Sequence, residues 1–189
     1  MRMVSFSCSF DLNSCFYSID IRILTFRFSF FVSYMYIYGL SLSQETQMSV
    51  VKQHLIRCLR SLKTENCAFG ISTFNNSTNL PLGDSMVDIC RKEEGINVVQ
   101  SFHAGGGSSG SHLCLRNLIN MDPEVIFFLG DGGWDGENLI QEAKIAVKCK
   151  IPIHSIAFYI RGRNSGLPEI AKMTGGTYRD INKMSDYKI

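Results

Sequence analysis

From residue 45 onward the chain alternates between two hydrophobic periods. Over residues 45–62, Val50, Val51, His54, Leu55, Cys58, Leu59 and Leu62 recur at three- and four-residue steps. That spacing predicts an amphipathic helix, with Ser43 or Thr46 placed to cap its start. Residues 67–74 have the β-branched and aromatic content of a strand, and Asn75-Asn76-Ser77 predicts the turn that ends it. Pro81-Leu82-Gly83-Asp84 turns the chain again, and Asp84 is placed to cap a short helix reaching Lys92. Residues 96–102 fit a helix or a strand. A helix is predicted over 111–120, with Cys114, Leu115, Leu118 and Ile119 on one side and Pro123 beyond its end. The unbroken apolar run 125–129 predicts a central strand covered on both faces. A helix over 137–149, a strand over 151–159, a short helix over 167–173 ended by Gly175-Gly176, and a last strand over 177–181 complete the pattern.

Strands that alternate with crossover helices imply an α/β fold: a doubly wound, mainly parallel central sheet with helices on both faces, a Rossmann-like three-layer arrangement. In such sheets ligands bind beyond the carboxyl ends of the strands, where the strand order reverses. The segments 39–44, 105–110 and 130–136 are the candidates for that crevice. Residues 1–28 read as a poorly specified N-terminal extension, 29–183 as the domain, with a first strand at about 29–38, and 184–189 as a C-terminal tail. The stretch before residue 44 is rich in Phe, Ser, Tyr and Ile, and no formal charge falls between Phe28 and Gln44. Asp11, Asp20, Arg22 and Arg27 interrupt anything resembling a signal peptide. A membrane span within 23–42 stays open, although its uncharged part is shorter than the roughly 20 residues a spanning helix needs.

The 189 residues are 45% hydrophobic and 19% charged, enough to build a core. Nineteen Lys and Arg against 17 Asp and Glu leave a formal charge of +2, which provides no electrostatic footprint for nucleic acid. Seven cysteines, an odd number without a Cys-x-x-Cys pair, read as free thiols and favour an intracellular location.

The candidate chemistry is oxygen ligation of a hard divalent cation. Mg²⁺ takes one or two carboxylates, hydroxyls and water in octahedral geometry. Asp131, at the end of the 125–129 run, supplies a carboxylate; Ser41, Ser43 and Ser108 or Ser109 supply hydroxyls. From Gly39 to Ile181 the chain resembles a von Willebrand factor type A (VWA) domain. The resemblance rests on Phe127-Phe128-Leu129-Gly130-Asp131-Gly132, Gly107-Ser108-Ser109 followed by Cys114-Leu115, Ile153-His154-Ser155-Ile156-Ala157-Phe158, Leu167-Pro168-Glu169-Ile170-Ala171 and Thr174-Gly175-Gly176-Thr177-Tyr178. It implies a metal-ion-dependent adhesion site built from Ser41, Ser43, Ser109 and Asp131, with Ser108 and Asp135 supporting it. An acidic side chain of a protein partner would complete the metal, so the implied activity is binding rather than catalysis. One departure stands out: Gly39-Leu40-Ser41-Leu42-Ser43 occupies the place of the family's Asp-x-Ser-x-Ser, with Gly39 where a carboxylate belongs. The loss of an anionic ligand predicts weakened Mg²⁺ binding. Trp134 is either a partner contact or a ring packed over the loop.

Three other readings compete. Gly105, Gly107 and Gly110 match Gly-x-Gly-x-x-Gly, and with Asp131 on a ribose hydroxyl they would make a dinucleotide-binding oxidoreductase, provided 96–102 is a strand. Asp131, Asp135, Gly136 and Glu142 fall at four calcium-loop positions, although a strand rather than a helix precedes them. A metal-free scaffold is the third. His54 and His154 read as packed structural residues, while His103 and His112 flank the glycine run. No Gly-x-Ser-x-Gly opens a helix after a strand, so no serine nucleophile is indicated.

Overall fold

The structure, a computed structural model, describes residues 27–33, 44–62, 67–74, 78–103, 110–130, 136–158 and 166–181. In chain order these form β1 (Arg27–Ser33), α1 (Gln44–Ser61), β2 (Ala68–Phe74), β3 (Thr78–Asn79) and β4 (Val87–Asp88). A 3₁₀ turn (Ile89–Arg91) then leads to α2 (Lys92–Gln100), α3 (Ser111–Asn120), β5 (Val125–Gly130), α4 (Glu137–Cys149), β6 (Ile153–Phe158), α5 (Leu167–Thr174) and β7 (Tyr178–Ile181).

The strands join in the order β3-β2-β1-β5-β6-β7, with β4 also paired to β2. All pairings from β2 through β7 are parallel, and only the two-residue strands β3 and β4 run antiparallel. The expected doubly wound, mainly parallel α/β sheet is therefore the architecture. β1 lies in its middle, with Phe28 beside Phe69 on one flank and Val125 on the other.

Alternate residues of the strands feed two cores, because successive side chains point to opposite faces. Phe69, Ile71, Val125, Leu129 and Ile156 pack under α1 and α2 against Leu55, Leu59, Ile96 and Val99. Phe74, Ile126, Phe128, Ile153 and Ala157 pack under α3, α4 and α5 against Leu115, Leu118, Leu139 and Ile170. The stripe of α1 behaves as its spacing predicts, with Val51, Leu55, Leu59 and Leu62 buried and His54 and Cys58 half-buried.

Three local expectations are corrected. The first strand runs Arg27–Ser33, starting two residues ahead of the expected 29, and 34–38 lie outside the described residues. Thr46 lies within α1 and does not cap it, and Ser43 is outside the described residues. Asp84 sits in an exposed turn with Gly83 at φ +96°, and no helix begins at it. The chain instead adds β4 to the sheet, and Asp88 is the cap: its carboxylate accepts a 2.8 Å bond from the Cys90 amide. The ambiguous stretch 96–102 is mostly helix, for a packing reason. Gly95, Ile96 and Val99 form the buried face of α2, and Gly95 lets the helix rest directly on the Phe69 ring.

Candidate functional site

The strand order reverses between β1 and β5. From β1 the chain winds outward through β2, and from β5 it winds the opposite way through β6 and β7. Open sheets form a ligand crevice at the carboxyl ends of such a strand pair. Val32 pairs with Leu129, and Ser33 and Gly130 are the last residues of the two strands. In sequence, residues 34–43 follow β1 and residues 131–135 follow β5. α3 ends at Asn120, a short turn before β5 begins at Val125.

Gly39, Ser41, Ser43, Gly105, Gly107, Ser108, Ser109, Asp131, Trp134 and Asp135 all lie outside the described residues. The elements around them bear on their placement. α1 begins at Gln44, directly after Ser43, whereas β1 ends at Ser33, six positions before Gly39. In sequence, residues 39–43 are directly followed by the helix and separated from the strand end by five residues. Gly110, the one described glycine of the run, is buried at the start of α3, and its carbonyl accepts a 3.1 Å bond from the Cys114 amide. Among the described residues no group of three or more His, Cys, Asp or Glu gathers to hold a metal.

The rim of α3 and α4 is fixed by an ion pair that sequence reasoning missed. Arg116 on α3 donates from Nε and Nη2 to the two carboxylate oxygens of Glu142 on α4, the Nε bond being 3.1 Å. Glu142 is 2% exposed and Arg116 half-exposed, so the guanidinium covers an otherwise buried carboxylate. The hydrogen bond to Glu142 and then its charge hold the Arg116 pKa above its usual value. A signal was present in the sequence: Leu139, Glu142, Ala143 and Ala146 share the helical spacing of a buried stripe, an odd position for an acid. Glu142 is therefore unavailable as the twelfth residue of a calcium loop.

The dinucleotide reading required a strand over 96–102. Residues up to Gln100 belong to α2, so the glycine run follows a helix and lacks the strand-turn-helix setting that places a pyrophosphate. Thiol chemistry is not favoured at Cys58, Cys90 or Cys114. Burial raises Cys58 to about 11 and pushes Cys114 up further, and the Asp88 carboxylate raises Cys90. These groups stay protonated, and the thiolate is the nucleophile. Cys114 Sγ lies 2.7 Å from Ser72 Oγ inside the core. His103 is exposed and His112 half-buried in the first turn of α3. His154 is buried as expected, with Nδ1 2.9 Å from Thr177 Oγ1 and its ring stacked on Phe127 at 5.3 Å.

No family model and no curated protein matches the chain. Solved structures do. A von Willebrand factor type A protein from Catenulispora acidiphila superposes with a TM-score of 0.72 at 14% identity, over 85% of this chain and 39% of that one. The conserved hypothetical protein BatB from Bacteroides thetaiotaomicron gives 0.60 at 16% identity, over 85% of this chain and 92% of that one. Proximal thread matrix protein 1 from the mussel byssus, with a zinc-occupied MIDAS motif, gives 0.63 at 14% identity, over 84% of this chain and 42% of that one. The chain thus spans about two fifths of the first and third of these structures and nearly all of the second. The fold is that of a von Willebrand factor type A domain.

Proposed function

We propose that this chain, with its von Willebrand factor type A fold, is a protein-recognition module that binds its partner at the carboxyl-end crevice between β1 and β5. One observation carries the reading: the adjacent parallel strands β1 and β5 end together, at Ser33 and Gly130, where the strand order reverses, and in sequence the hydroxyl-rich segment 34–43 and Asp131 come directly after those ends. A divalent cation would be held by Ser41, Ser43, Ser109 and Asp131, with Ser108 and Asp135 supporting them and Trp134 at the rim. The donors are all oxygens, which suits Mg²⁺, but Asp131 is the single carboxylate among the four, which suits it weakly. The zinc-occupied site of the mussel protein supports metal binding on this fold. A bound ion with an open position would take an acidic side chain from the partner and share its charge across the interface. Nothing in this scheme makes or breaks a covalent bond, so the chain acts by binding and not as an enzyme.

A second reading, a metal-free scaffold, is favoured by that same shortage of carboxylates. The two separate in a melting experiment with Mg²⁺, Mn²⁺, chelator or NAD added to the chain, since a ligand of the native state raises the melting temperature by mass action. A rise with Mn²⁺ or Mg²⁺ that chelator reverses and Asp131→Asn abolishes is the expected result. No response to either metal selects the scaffold, and a response to NAD alone overturns both. None of the described helices is long and apolar enough to cross a membrane. The scattered thiols support an intracellular location.

A further inference from the structure

We propose that His154 is an acid-sensitive latch holding the outer edge of the sheet. β7 is the edge strand, and Thr177 is the residue on which it enters the sheet. Thr177 is tied to β6 at three points. Its carbonyl accepts from the Ser155 amide at 2.8 Å, its amide donates to His154 Nδ1 at 3.2 Å, and its hydroxyl lies 2.9 Å from that same nitrogen.

A ring nitrogen that accepts from a backbone amide must carry a lone pair. The arrangement therefore selects neutral imidazole with its proton on Nε2. Protonation turns Nδ1 into a donor. The Thr177 hydroxyl can turn and accept from it, but the Thr177 amide cannot, and it loses its acceptor inside a half-buried site. The strain falls at Thr177, directly before the first residue of the edge strand.

Phe127 on β5 stacks on the imidazole from one side. The described charged and titratable groups near this face are Arg179 of β7, registered with Ile156, and His54 and Arg57 of α1. Burial of the ring adds to the penalty on its protonated form. α4 and α5 pack on the opposite face of the sheet.

Amide hydrogen exchange on the whole chain, corrected for the intrinsic pH dependence of exchange, tests the latch. Between about pH 7.5 and about pH 5, the amides of Tyr178–Ile181 should lose protection about tenfold or more while those of β5 keep theirs. His154→Asn keeps an acceptor near the Nδ1 position without titrating there, so its β7 protection should be flat over the same range. An equal loss in His154→Asn, or a loss shared by β5, overturns the latch. Long-range ¹H–¹⁵N spectra of the unmodified chain give a test that needs no variant. Near neutral pH they should place the proton on Nε2, and a proton on Nδ1 overturns the proposal.

Discussion

A methyl group added at Gly176 would stand 2.0 Å from the Ile153 carbonyl oxygen, and one at Gly95 would stand 2.6 Å from the Phe69 ring. The first obstacle is backbone at the start of β6, held in its pairing with β5, and cannot move aside; the second is a side chain in a packed core. Gly176→Ala is expected to cost about 3 kcal/mol and Gly95→Ala about 1–3 kcal/mol, read as shifts of the urea midpoint. Ser155 behaves oppositely. Its hydroxyl is buried without a hydrogen-bond partner among the described residues, so Ser155→Ala is expected to be neutral or stabilising by up to about 1 kcal/mol. His154 and His54 are both held below the usual 6.5, chiefly by burial, with Arg57 and Arg179 adding to the effect at His54. A histidine with a lowered folded pKa binds protons more readily when the chain unfolds. Its contribution is thus fully present above about pH 6.5 and is lost as the pH falls through the folded value. The melting temperature should fall on acidification below neutrality, and replacing both histidines with Asn should flatten that fall.

Among the elements, α1, α3, α4 and β5 were legible because each buries a single stripe or run whose period stands out: Leu55 and Leu59 in α1, Leu115 and Leu118 in α3, Ile126 and Phe128 in β5. The stretch from Thr78 to Gln100 was not. β3 and β4 are two residues long and carry no measurable period, and Asp84 has the chemistry of a cap although Asp88 does the capping. The residue pattern could not say whether Ile96 and Val99 served a helix or a strand, and the close seat of Gly95 on Phe69 decides it. The α3–α4 contact offers a test at this scale. Arg116→Met should lower the melting temperature by stranding the Glu142 carboxylate in the core, and adding Glu142→Leu should recover much of the loss. If the double variant is as unstable as the single one, the pair does more than neutralise a buried charge.

On the scale of the whole molecule, the parallel direction of the main strands followed from the alternation of strand and helix, because parallel strands need crossovers and the crossovers were visible as stripes, whereas the strand order came only from the structure. The proposed site was legible only as residue types, Ser41, Ser43, Ser109 and Asp131, since glycine- and serine-rich segments have no period from which to read a geometry. The strand end supplies a discriminating experiment. β1 stops at Ser33 and α1 starts after Ser43, so a carboxylate supplied to the crevice belongs either at the strand end or at Gly39. Gly39→Asp should raise Mn²⁺ affinity, seen as a larger melting shift, if the helix side sets the site. Ser33→Asp should do so if the strand side sets it.

β1 occupies the interior of the sheet, yet its partners lie far along the chain: Phe28 must meet Phe69 on one flank and Val125 on the other. During synthesis the stretch emerges from the ribosome well before its second neighbour exists. It waits with one row of amides and carbonyls unclaimed, the condition in which strands aggregate or recruit chaperones. Closure so distant in sequence makes assembly slow for the protein's size. Pausing or truncation of translation anywhere short of residue 130 should leave a nascent chain that is sensitive to protease along its whole length.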